Sequence, residues 1–60
     1  MISGAQIGYA LREYRTLNRM TQSDLAAYLG TSVEQVSRWE LCKHYPRRKW
    51  VERMKERKVL

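Results

Sequence analysis

Apolar residues recur at helical spacing in four stretches of this chain. In the first, Ile7, Ala10, Leu11, Tyr14 and Leu17 follow the i, i+3, i+4, i+7 pattern that places side chains on one face of a helix. Ser3 and Gln6 have the spacing of a capping box, in which each side chain satisfies the other residue's backbone N–H. These signals predict a helix from Gly4 to Leu17, ended by Asn18 and Arg19 and weakened at its start by Gly4 and Gly8. Thr21 is the expected N-cap of a second helix, Gln22 to Leu29, with Asp24 near the positive end of its dipole and Leu25, Ala26 and Leu29 inward. Gly30 ends that helix in the left-handed conformation that glycine adopts without strain. Ser32 caps a third helix, Val33 to Leu41, and Gln35 completes a second capping box. On the third helix Val36 and Glu40 share one face, while Glu34, Arg38 and Leu41 share another. A loop from Cys42 to Tyr45 leads to Pro46, expected in the first turn of a fourth helix. That helix carries a narrow apolar stripe, Trp50, Val51 and Met54, flanked by Arg47, Arg48, Lys49, Arg53 and Lys55, and Arg57 to Leu60 are expected to fray. The expected architecture is an all-α, four-helix domain over residues 1–60.

At 60 residues the core is small, because a chain of this size buries only about 60% of its unfolded surface. One cysteine, Cys42, permits no internal disulfide, and with one histidine, His44, it cannot fill a four-ligand metal site. No cofactor is expected. No apolar run approaches the length needed to cross a bilayer, and the N-terminus lacks a basic segment followed by an apolar one. A cytoplasmic location is therefore expected, at the nucleoid if the source is bacterial.

The net charge of +6 is unevenly distributed. Up to Cys42 the chain is balanced, with Arg12, Arg15, Arg19 and Arg38 against Glu13, Asp24, Glu34 and Glu40. The whole excess lies in the last 18 residues, where eight Lys or Arg face only Glu52 and Glu56. Such asymmetry suits a polyanionic partner, nucleic acid first, although a solvated basic tail is the plainer reading.

From Thr21 to Pro46 the chain reads as two short helices joined by a tight turn, with an arginine on the second. Over Leu11 to Pro46, about 60% of its length, it resembles the lambda-type repressor and Cro helix-turn-helix family, the xenobiotic-response-element type. The matching residues are Arg15, Thr21-Gln22, Leu25-Ala26, Gly30, Ser32, Val36-Ser37-Arg38-Trp39-Glu40 and Pro46, spaced without gaps. The resemblance implies that Gln22 bonds a phosphate and braces the first residue of the recognition helix. It implies that Val33, Glu34, Ser37 and Arg38 face the major groove, and that Arg15 and Glu40 form a buried ion pair. Gln22, Ser32, Lys43, His44, Arg47 and Arg48 form the expected phosphate-binding set. Physics is consistent with these roles: helix N-termini hold phosphates, and arginine reads guanine in bidentate fashion. Two departures stand out. The family usually has glycine where Cys42 stands, and usually carries a fifth helix that this sequence lacks. Helix 4 then covers the core alone, or a partner subunit completes it.

The function expected is sequence-specific recognition of double-stranded DNA by a homodimeric transcriptional regulator. It would act as a repressor of the phage or mobile-element kind, by occupying an operator. The rival is a protein-binding adaptor that docks a partner through Trp50, Val51 and Met54, with the helix-turn-helix as scaffold. Trp39 is expected in the core, and Tyr45 near a phosphate. No nucleophile with a base and orienting group, glycine-rich phosphate loop or carboxylate pair suggests an enzyme. Helix 4 lacks the broad apolar face of a membrane-surface helix.

Overall fold

The computed structural model describes residues 2–60 and forms them into α1 (Gly4–Leu17), α2 (Gln22–Leu29), α3 (Val33–Glu40) and α4 (Arg48–Glu56). Local side-chain chemistry sets where the first three begin. The Gln6 N–H donates to Ser3 Oγ at 3.1 Å and the Ser3 N–H returns a bond to Gln6 Oε1 at 2.8 Å. Thr21 and Asp24 make the same reciprocal pair at 3.0 and 2.9 Å. At α3 only half of the expected box forms: the Gln35 N–H donates to Ser32 Oγ at 3.2 Å, but the Gln35 side chain turns away to line a cleft against α4. Leu41 is the C-cap of α3 rather than its last residue.

All four helices end in the same way. A residue in the left-handed region follows the last turn, and the next N–H bonds back to the carbonyl five residues earlier. These bonds are Met20 to the Arg15 carbonyl, Thr31 to Ala26, Lys43 to Arg38 and Val59 to Met54, at 2.8–2.9 Å. They are Schellman turns, which satisfy carbonyls that a helix end leaves orphaned. Only one uses glycine, Gly30 (φ 79°); the others place Arg19 (φ 54°), Cys42 (φ 61°) and Lys58 (φ 66°) there. Cys42 thus takes the left-handed conformation in which the family usually has glycine.

The core is Ile7 and Leu11 from α1, Leu25, Ala26 and Leu29 from α2, Val36 and Trp39 from α3, Met54 from α4, and Val59. Four expectations are corrected here. Leu17 is 75% exposed, because the last turn of α1 runs beyond the buried face. Met54 is fully buried in the core, so Trp50, Val51 and Met54 are not an open stripe; only Trp50 and Val51 remain half-buried at the surface. The C-terminal residues do not fray: Val59 is buried, seated by its Schellman bond beside Met54, and Leu60 is half-buried. Pro46 lies two residues before α4 instead of within its first turn, and its ring is buried, while Arg47 is the N-cap.

Long side chains stitch the helices together. The Arg12 guanidinium donates to the Glu40 carbonyl at the end of α3. Arg53 of α4 donates to the Leu29 carbonyl at the end of α2 at 2.8 Å. Both place a cation at the negative end of a helix dipole. Gly8 makes the α1–α3 approach feasible: a Cβ there would stand 2.9 Å from the Glu40 carbonyl oxygen. Tyr14 and Tyr28 stack with centroids 5.8 Å apart, Tyr28 donates its hydroxyl to the Arg57 carbonyl at 3.1 Å, and the Arg57 guanidinium lies over the Tyr28 ring. α4 and Val59 thereby cover the core among the described residues. Among the described residues, no helix is long and apolar enough to cross a membrane.

Candidate nucleic-acid interface

The turn from Gly30 to Ser32 brings α3 across α2, and α3 buries Val36, Trp39 and Glu40. Helical periodicity then sends Glu34, Arg38 and Leu41 outward along one exposed stripe, with Val33 exposed and Ser37 half-buried beside it. Among the described residues, the side chains of Glu34, Ser37 and Arg38 make no hydrogen bond or ion pair within the chain. Glu34 lies in the first turn and Arg38 in the last, each at the dipole end that favours its charge.

Behind this stripe sits a closed polar hub. Glu40 is only 3% exposed. Its Oε2 accepts from Arg15 Nε at 2.6 Å, and its Oε1 accepts from Arg15 Nη2 and Gln22 Nε2, both at 3.0 Å. The hydrogen bond to Glu40 holds the Arg15 guanidinium pKa above its ordinary value, so the arginine half of the pair stays charged through the neutral range. One carboxylate therefore joins α1, the start of α2 and the end of α3. Gln22 points an amide hydrogen at Glu40 rather than at Val33, leaving its second amide hydrogen for another acceptor.

The expected phosphate-binding residues surround the ends of α3. Ser32 accepts the capping bond and keeps its hydroxyl hydrogen to donate. Lys43, His44 and Arg47 are exposed on the loop before α4. Arg48 pairs with Glu52 at 3.0 Å, but with side chains 91% and 58% exposed this contact is worth at most about 1 kcal/mol and leaves Arg48 available. Tyr45 differs from expectation: its hydroxyl donates to the Ile2 carbonyl at 2.6 Å, tying the loop to the start of the chain. Cys42 Sγ reaches the Gly4 carbonyl at 3.6 Å on the same seam.

Arg38, His44 and Arg47 come together in one cleft between α3 and α4, with Trp39 and Trp50 behind them. Val33, Glu34, Ser37, Gln22, Ser32, Lys43 and Arg48 lie outside it. The sequence reading missed Gln35 and Lys49 as members of this cleft. The signal for Gln35 was its position one turn before Arg38. Nothing local marked Lys49, because the packing of α4 places it.

A family model described as helix-turn-helix matches residues 11–43, more than half of the chain. No curated protein and no solved structure matches the chain.

Proposed function

Because the chain belongs to the helix-turn-helix family of the repressor and Cro type, a family of DNA-binding transcription regulators, we propose that it binds specific duplex sequences as a homodimeric repressor by occupying an operator. α3 enters the major groove, with Arg38 reading a guanine edge and Val33, Glu34 and Ser37 contacting neighbouring bases. Gln22, Ser32, Lys43, His44, Arg47 and Arg48 hold the flanking phosphates. Phosphate contacts fix the register and base contacts supply the specificity. A protein with this task works where DNA is, which in a bacterium is the cytoplasm.

The observation that carries this reading is the contrast across α3. Its inner polar side chain, Glu40, is saturated by Arg15 and Gln22, whereas Glu34, Ser37 and Arg38 on the outside have no partner within the chain. Polar groups arranged along a rigid helix and free of internal bonds suit recognition of an external donor–acceptor pattern. The adaptor reading has lost support, since Met54 is not available to a partner.

Selection of bound duplexes from a random pool at about 150 mM salt, the ionic strength at which surface charges are screened beyond about 8 Å, tests this. An enriched inverted repeat is expected, with half-sites about one helical turn, roughly 34 Å, apart. A lone half-site would refute the homodimer, and uniform weak binding would refute base reading by α3.

A further inference from the structure

The cleft between α3 and α4 has a composition that duplex recognition does not use in full. It encloses about 460 Å³, within the size range of small-ligand sites. Arg38, His44, Arg47 and Lys49 line it, and no carboxylate does. Arg38, His44 and Arg47 have no side-chain partner among the described residues, and the first turn of α4 holds no acid. The cations Arg38, Arg47 and Lys49, converging without a counter-charge, repel one another until an anion joins them.

Apart from Gln35, the remaining walls are aromatic. Trp50 leans on the buried Trp39 at a 50° interplanar angle, and Tyr45 is 52% exposed. Lys49 Nζ lies 5.0 Å from the centroid of the Trp50 ring. A phosphate offers that ammonium a stronger partner than a half-buried ring face does, so an entering anion draws Lys49 from the indole, while the Arg53 guanidinium, anchored on the Leu29 carbonyl, stays 5.8 Å from the same ring centroid. Duplex DNA presents phosphates here but keeps its bases stacked, so it leaves untouched the ring faces of Tyr45 and Trp50, which inside the chain serve only to hold Ile2 and to pack on Trp39. A single nucleotide fills both halves.

We propose that this cleft binds a phosphate monoester carrying a planar base, of the nucleoside monophosphate class, and that its occupancy competes with duplex DNA by engaging Arg38 and Arg47. The competition rests on the DNA-binding reading; the binding itself does not.

Calorimetric titration of the full chain, free of DNA, with adenosine 5′-monophosphate tests the site, with tryptophan fluorescence as a second readout. Saturable binding with a change in tryptophan emission is expected. Adenosine alone and inorganic phosphate alone should bind weaker by roughly tenfold or more, the usual effect of losing one charge-assisted contact. Lys49→Glu should abolish the binding while leaving the helical circular dichroism intact, because an acid in the first turn suits the dipole. Absence of saturation, equal binding of inorganic phosphate, or unchanged affinity in Lys49→Glu overturns the proposal. A labelled duplex from the selection then tests competition: a rise in its apparent Kd with nucleotide is expected, and simultaneous binding of both refutes it. A chain that binds nucleotide but no duplex at all refutes the regulator reading and leaves the site standing.

Discussion

Removing either partner of the Arg15–Glu40 pair should destabilise the protein, and the two losses should differ in a direction set by burial. Breaking a buried ion pair costs about 3–5 kcal/mol, most of it the penalty of stranding the surviving charge. In Glu40→Ala the stranded group is Arg15, which is 24% exposed and has a second, longer contact at 3.4 Å to the Met20 carbonyl. Water reaches it, so the loss should fall near 3 kcal/mol, and the Arg12 bond to the backbone carbonyl of residue 40 survives. In Arg15→Ala the stranded group is the Glu40 carboxylate, 3% exposed, with only Gln22 left to donate to it. That loss should approach 5 kcal/mol at pH 7. Total stability for a chain of this length is about 3–9 kcal/mol, so Arg15→Ala populates the unfolded state substantially. Urea titrations by circular dichroism, with a fixed concentration of a protecting osmolyte to keep both variants measurable, give the comparison. The double variant should lose little more than the worse single one. Equal losses, or a larger loss in Glu40→Ala, would refute the account of Glu40 as the more deeply committed charge.

Four further outcomes follow from the geometry. Gly8→Ala should lose about 1–2 kcal/mol by urea titration despite alanine's better helix propensity, because the new Cβ meets the Glu40 carbonyl at 2.9 Å and the Trp39 carbonyl at 3.1 Å. Cys42→Gly should gain about 0.5–1 kcal/mol by relieving the left-handed strain; a loss would mean that the Sγ contact to Gly4 outweighs it. Arg38→Ala should relax selectivity at one base position, by about 1–3 kcal/mol, in a repeated duplex selection while nonspecific affinity changes little. Replacing Lys43, Arg47 and Arg48 together by Ala should weaken all duplexes alike and flatten the log–log salt slope by roughly 2.7 per protomer, at about 0.9 per phosphate contact.

The starts of α1, α2 and α3 were legible because they depend on residues three apart, whereas α4, which has no side-chain cap, begins two residues beyond the expected Pro46. Ser3 with Gln6, Thr21 with Asp24, and Ser32 act within one turn, so the sequence contains both halves of each interaction. The spacing of Ile7, Leu11, Leu25, Ala26, Leu29 and Val36 marked the buried faces for the same reason. What was illegible depends on partners far along the chain. Nothing in the local sequence marked Arg12 or Arg53 for a role, yet each closes a helix end 28 or 24 residues away. Val59 followed a run of charges that masked it, and only the path of α4 over Tyr28 and Leu29 brings it inward. Leu17 kept the helical period but lies past the end of the face that α1 buries. In the candidate interface, the outward stripe of α3 was readable from periodicity, whereas the cleft required the placement of Lys49 and Tyr45 by α4 and its loop.

The seam between the loop before α4 and the start of the chain has a dynamic consequence. Tyr45 holds the Ile2 carbonyl and Cys42 reaches Gly4, while Ser3 caps the turn that follows. The loop carrying Lys43 and His44 therefore cannot lift away without loosening the first turn of α1. These two regions, some forty residues apart in sequence, should open as one cooperative unit. Amide hydrogen exchange would show it as a shared opening free energy for the backbone N–H groups of Gln6 and Ile7 and those of Cys42 and Lys43, with closing of the loop re-forming the helix start each time.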